Sequence, residues 1–120
     1  MGLDCYFVRR KITNIGYFRK INFLVKFFKD RGLDIKKQTP LLIKKKDIEV
    51  LLYRCNEVLN DHNKASELLP TTSGFFFGST EYDEYYFDDV KQVKNYIIDT
   101  LINQFDDLDS NENIFFIIDY

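Results

Sequence analysis

The chain has 120 residues, 45% of them hydrophobic and 17% aromatic, with twelve Phe, eight Tyr and no Trp. That composition excludes wholesale disorder and predicts one domain around a Phe-rich core. No apolar run approaches the ~18–20 residues of a membrane span, and the acidic start Met1-Gly2-Leu3-Asp4-Cys5 is unlike the basic start of a secretion signal. Net charge is only −2, but it conceals a division. Residues 1–46 carry 13 Lys and Arg against 3 Asp and Glu, a surplus of +10, whereas residues 47–120 carry 4 against 16, a deficit of −12. Such asymmetry points to halves that attract each other, or to separate basic and acidic surfaces for charged partners.

In chain order, Leu3–Val8 reads as a strand of aromatic and β-branched residues, ending at Arg9-Arg10-Lys11. Asn14 is placed to cap a helix over Gly16–Lys29, where Phe18, Ile21, Leu24, Val25 and Phe28 form a stripe at helical spacing. Tyr17, Phe23 and Phe27 widen that stripe, which predicts a helix buried on two sides or one with a face left for a partner. Gly32 supplies a left-handed stop. Pro40–Lys44 reads as a short strand with proline at its permitted first position. Asp47 caps a second helix running to Asn60, with Ile48, Leu51, Leu52, Cys55, Val58 and Leu59 in step with the 3.6 period. Ala65–Leu69 makes one more helical turn, stopped by Pro70.

Phe75-Phe76-Phe77 lies between two glycines and reads as a buried strand or a hydrophobic plug. A third helix starts near Tyr85–Phe87 and runs to Phe105 on the stripe Val90, Val93, Ile97, Leu101 and Phe105. Asp88 and Asp89 in its first turn suit the helix dipole. Ile114–Ile118 is apolar enough for a central strand and a candidate neighbour of the first. The expected fold is a two-layer α+β domain over residues 1–120, with three helices on a partly antiparallel sheet of three to four strands.

Catalytic signatures are sparse. His62 is the only histidine, so neither a His-based triad nor a zinc site gathers around it. Cys5 and Cys55 lack metal or redox spacing and read as reduced, buried thiols. Gly74–Thr80 has glycines but no lysine in the order a phosphate loop needs. No metal or cofactor is called for. The densest feature is residues 68–89, where seven aromatics, two glycines and five acidic residues fall within 22 positions. Glu81, Tyr82, Asp83, Glu84, Tyr85, Asp88 and Asp89 there form a candidate partner-binding patch. Tyr gives large contact area with a polar tip, and acids interleaved with it complement a basic groove. Arg9, Arg10, Lys11, Lys44, Lys45 and Lys46 form a candidate basic patch for a partner or RNA.

Two segments carry a resemblance. Met1-Gly2-Leu3-Asp4-Cys5-Tyr6-Phe7 and the run Leu68–Tyr86, LLPTTSGFFFGSTEYDEYY, resemble the two signatures of a family of small bacteriophage and prophage proteins. Members are often labelled phosphoglycerate kinase. That label does not suit 120 residues without a nucleotide-binding motif, so the resemblance implies no catalytic residues. It implies a phage accessory protein acting in a bacterial cytoplasm. The resulting expectation is a non-enzymatic inhibitor of a host defence nucleoprotein. Its most concrete form is an anti-CRISPR protein acting on a Cas effector, such as an RNA-guided RNA nuclease, or on its guide RNA. The alternatives are an enzyme holding a small ligand or metal in the Gly74–Glu84 loop, and an RNA-binding module built on the basic half.

Overall fold

The computed structural model describes residues 2–9, 13–74 and 77–120. Among the described residues, four strands form one antiparallel sheet: β1 (Asp4–Arg9), β2 (Thr13–Arg19), β3 (Leu41–Ile43) and β4 (Ile114–Asp119). Their order is β2-β1-β4-β3, so the first and last strands are the central pair, as the sequence implied. The helices are α1 (Asn22–Asp30), α2 (Lys45–Asn60), the one-turn α3 (Ala65–Leu68) and α4 (Glu84–Tyr96). A π-helical segment, Ile97–Leu101, continues α4 into α5 (Ile102–Asp106). The expected α+β architecture stands.

The first helix is shorter than expected. Gly16–Arg19 belong to β2, and α1 begins only at Asn22. Lys20 lies between them with φ of 58°, a left-handed residue that turns strand into helix. Asn14 is therefore a strand residue, its Oδ1 accepting the Gly16 N–H at 3.0 Å, and Phe18 packs from the sheet. The helical stripe appeared continuous because Phe18 stays in phase with Ile21, Leu24 and Phe28 across the break. Of the two expectations for α1, burial within the domain holds: Phe23, Leu24, Val25, Phe27 and Phe28 are all buried. Gly32, at φ of 95°, ends it as expected, with Leu33 N–H on the Phe28 carbonyl and Gly32 N–H on that of Lys29. In α2 the first residue is Lys45, and Asp47 acts from inside the first turn, accepting the Lys44 N–H at 3.0 Å.

Strand alternation gives the sheet two distinct faces. On the helix side, Cys5 lies opposite Phe18 and Ile118, and Phe7 opposite Gly16 and Phe116. Phe28 stacks onto Phe116 at 4.4 Å between ring centres, and α2 and α4 add Ile48, Leu51, Cys55, Val90 and Val93 to the same core. Gly16 leaves room for the Tyr96 ring, whose hydroxyl donates to the Ile15 carbonyl at 3.0 Å. Both cysteines are buried and free, and burial pushes the Cys55 thiol up to about 12. On the other face, Tyr6 lies between Tyr17 and Ile117, Asp4 between Arg19 and Asp119, and Phe115 between Val8 and Leu42. Those apolar side chains take no part in the helix-side core. Among the described residues, no helix is long and apolar enough to cross a membrane.

Candidate interaction surface at the start of α4

The loop from Pro70 to Asp83 is held closed by hydrogen bonds that its own sequence supplies. Thr71 donates its hydroxyl to the Thr80 carbonyl (2.9 Å) and its N–H to the Tyr82 hydroxyl (3.1 Å). Tyr82 meets Tyr86 edge-on at 5.0 Å, and the buried Tyr86 hydroxyl donates to the Leu69 carbonyl at 2.7 Å. Asn22, buried at the start of α1, closes the arrangement from beneath. Its amide donates to the carbonyls of Phe77 (3.1 Å) and Ser79 (2.9 Å), and its Oδ1 accepts the Thr72 N–H (3.1 Å). Asn22 escaped the sequence reading. The signal was a lone amide in the apolar run Ile21–Phe28, which a buried position forces to find partners.

The expected plug at Phe75–Phe77 falls partly on Phe75 and Phe76, which lie outside the described residues. Phe77 packs edge-on against Tyr120 at 5.2 Å. Gly78, at φ of 90°, lies against the Lys20 backbone, where a Cβ would come within 3.3 Å of the carbonyl oxygen.

This closed loop delivers the acids to one end of α4. Asp83 is the N-cap, accepting the Tyr86 N–H at 3.1 Å. Glu81, Glu84, Tyr85 and Asp88 are exposed beside it, and Tyr85 shows 70% of its surface. Tyr82, at 38% exposure, braces the loop as well as reaching the surface. Asp89 is half-buried, and that burial, with Asp88 and Asp83 nearby, pushes its carboxyl up to about 6. Glu81, Asp83, Tyr85 and Asp89 line a cleft of about 180 Å³ together with Lys20 and Asn22. Among the described residues, no three His, Cys, Asp or Glu side chains converge as metal ligands, and His62 stacks flat on Phe87 at 3.6 Å.

The basic set is arranged differently. Arg9 is engaged inside the fold: its guanidinium grips Glu112 through two bonds, of 3.0 and 2.8 Å, and also reaches Gln104 and Asp107. Lys45 pairs with Asp106 at 2.6 Å, and Lys44 and Lys46 are exposed. Arg10 and Lys11 lie outside the described residues. The register places Arg9 and Ile43 in one row through Ile114, so Arg9 and Lys44–Lys46 share one end of the sheet, met there by the 106–112 acids. Arg31–Asp47 is a further ion pair between the basic and acidic halves. Part of the charge division is therefore cancelled within the molecule. The acids at residues 81–89 are not: among the described residues, none of them forms an ion pair with a Lys or Arg.

No family model, curated protein or solved structure matches this chain.

Proposed function

We propose that this protein acts by binding, without catalysis, and that the acidic end of α4 is its contact surface. The observation carrying this reading is the concentration of unpaired acids around one exposed tyrosine. Asp47, Asp106, Asp107 and Glu112 are matched by Arg and Lys of the basic half, and the other acids without an ion pair among the described residues (Asp4, Glu49, Asp61, Glu67, Asp99, Asp109 and Asp119) are dispersed along the chain. Among the described residues, Glu81, Asp83, Glu84, Asp88 and Asp89 stay unmatched by Lys or Arg around the exposed Tyr85, on a helix start fixed by hydrogen bonds. Unpaired like charges in one place repel, and a cationic partner removes that repulsion on docking. Tyr85 supplies the aromatic contact typical of interface centres.

A basic groove that normally handles nucleic acid fits this surface. Together with the resemblance to small phage proteins, that supports a phage-encoded inhibitor of a host defence nucleoprotein in a bacterial cytoplasm. An anti-CRISPR protein directed at a Cas effector is its concrete form. The test is a tagged pulldown from the bacterial host with wild type and with Glu84→Lys/Asp88→Lys, read by mass spectrometry and RNA sequencing. One stoichiometric defence complex, lost on charge reversal, is the expected result. A complex retained on reversal overturns the assignment of the surface, and no complex at all overturns the function.

A further inference from the structure

The sheet face away from the helices carries chemistry that the acidic surface does not use. Tyr6 and Tyr17 stand directly opposite on β1 and β2, with ring centres 5.2 Å apart. Tyr17 is 50% exposed, and Leu42 on the far edge strand is 45% exposed. The Tyr17 hydroxyl donates to Asp4 at 2.7 Å, which fixes the ring on the sheet. The second acid on this face, Asp119, accepts the Gln38 side-chain amide at 3.0 Å. Both carboxylates are thus held in place by neutral donors and keep their charges at the Asp4–Asp119 end of the face.

Its described cations are not held in this way. Alternation places Arg19 on the same face as Tyr17, two residues along β2. It likewise places Lys44, whose backbone is still extended, on the face of Leu42 at the end of β3. Both are exposed, and neither forms an ion pair among the described residues. Strand spacing and rise put these cations at opposite corners, roughly 25 Å apart, with the tyrosines between them. Bases stack on aromatic rings whatever their identity, while cations along the path hold phosphates.

We infer that the open sheet face, with Tyr6 and Tyr17 as a stacking platform and Arg19 and Lys44 as phosphate contacts, binds single-stranded nucleic acid. This surface shares only Lys44 with the basic cluster expected from the sequence, two of whose other members, Arg9 and Lys45, are paired internally. It is also independent of the acidic end of α4, and neither reading depends on the other.

The test is fluorescence anisotropy with a labelled oligouridine of ~12 nucleotides, within the range of single-strand site sizes. Wild type is expected to bind at ~50 mM salt and to weaken at ~200 mM. Tyr17→Ala should weaken binding about 5- to 140-fold, the range for loss of one stacked base, and Tyr17→Phe should restore it. Arg19→Ala/Lys44→Ala removes exposed side chains only. It should flatten the slope of log affinity against log salt by about 1.4, for two phosphate contacts on a single strand. Absence of binding at ~50 mM salt would overturn the inference. So would affinity unchanged in both variants when circular dichroism shows them folded. Sedimentation of wild type as a dimer that Leu42→Lys separates would overturn it too, by showing that a second copy covers the face.

Discussion

Asn22 holds Ser79 across 57 positions of chain: its amide donates to the Ser79 carbonyl at 2.9 Å and to the Phe77 carbonyl at 3.1 Å, while its Oδ1 takes the Thr72 N–H. One buried side chain thereby sets the path of the loop that ends at the Asp83 cap. Asn22→Ala leaves three backbone groups short of a partner and should cost about 2–4 kcal/mol in urea unfolding. Asn22→Asp should cost more at pH 7, because a carboxylate would face two carbonyl oxygens. Equal stability of the three proteins would show that Asn22 does not organise the loop.

Asp89 gives the fold a dependence on pH. Its carboxyl is raised to about 6 by burial and then by Asp88 and Asp83. Between its ordinary value of 3.8 and about 6, the folded state holds a proton that the unfolded state has lost. Stability from this group is present below about pH 4 and is lost as pH rises through 6. Asp89→Asn should therefore raise Tm by about 2–5 °C at pH 7.5 and leave it nearly unchanged at pH 4, a half-exposed site giving a discounted effect. An equal shift at both pH values would contradict this assignment.

Arg9 and Lys45 separate a structural cation from a surface one. The side chains of Arg9 and Glu112 are 15% and 5% exposed, and those of Lys45 and Asp106 about half exposed. Arg9→Ala removes the bidentate partner of the buried Glu112 carboxylate and should cost about 2–4 kcal/mol, with Arg9→Lys recovering little because the bidentate fork is lost. Lys45→Ala should cost less than ~1 kcal/mol. Denaturant unfolding of the three variants measures the difference.

Gly16 and Tyr96 share one volume. A Cβ at position 16 would overlap the Tyr96 ring, so Gly16→Ala should destabilise by about 1–3 kcal/mol. In Tyr96→Ala the same substitution should cost little, and a double-mutant cycle should return a coupling of at least ~1 kcal/mol. Additive effects would mean that the ring does not occupy that space.

Where the apolar period was long and uninterrupted, the fold was legible in the residues. The stripe Ile48–Val58 predicts α2, and Ile114–Ile118 predicts a central strand beside β1. The reading failed at Gly16–Arg19, because a strand running into a helix can keep one side chain, Phe18, in phase with the next element, and only the left-handed Lys20 marks the break. The acidic end of α4 was legible as a cluster of Tyr and acids, and Asp83 at the cap is the local reason it holds its position. Tyr82 as a loop brace and Arg9 as an internal anchor were not legible, since each depends on a partner, Thr71 or Glu112, placed by the tertiary fold. The open sheet face was hidden for the same reason. Tyr6 and Tyr17 become neighbours only once β2 is a strand.

The most direct test of the contact surface is the affinity of the purified partner complex for wild type, Glu84→Lys/Asp88→Lys and Lys45→Ala, measured at two salt concentrations. The account predicts binding weakened at least ~10-fold by the reversal, near wild-type binding for Lys45→Ala, and a weaker salt dependence for the reversed protein. Undiminished binding by a folded Glu84→Lys/Asp88→Lys protein would contradict it.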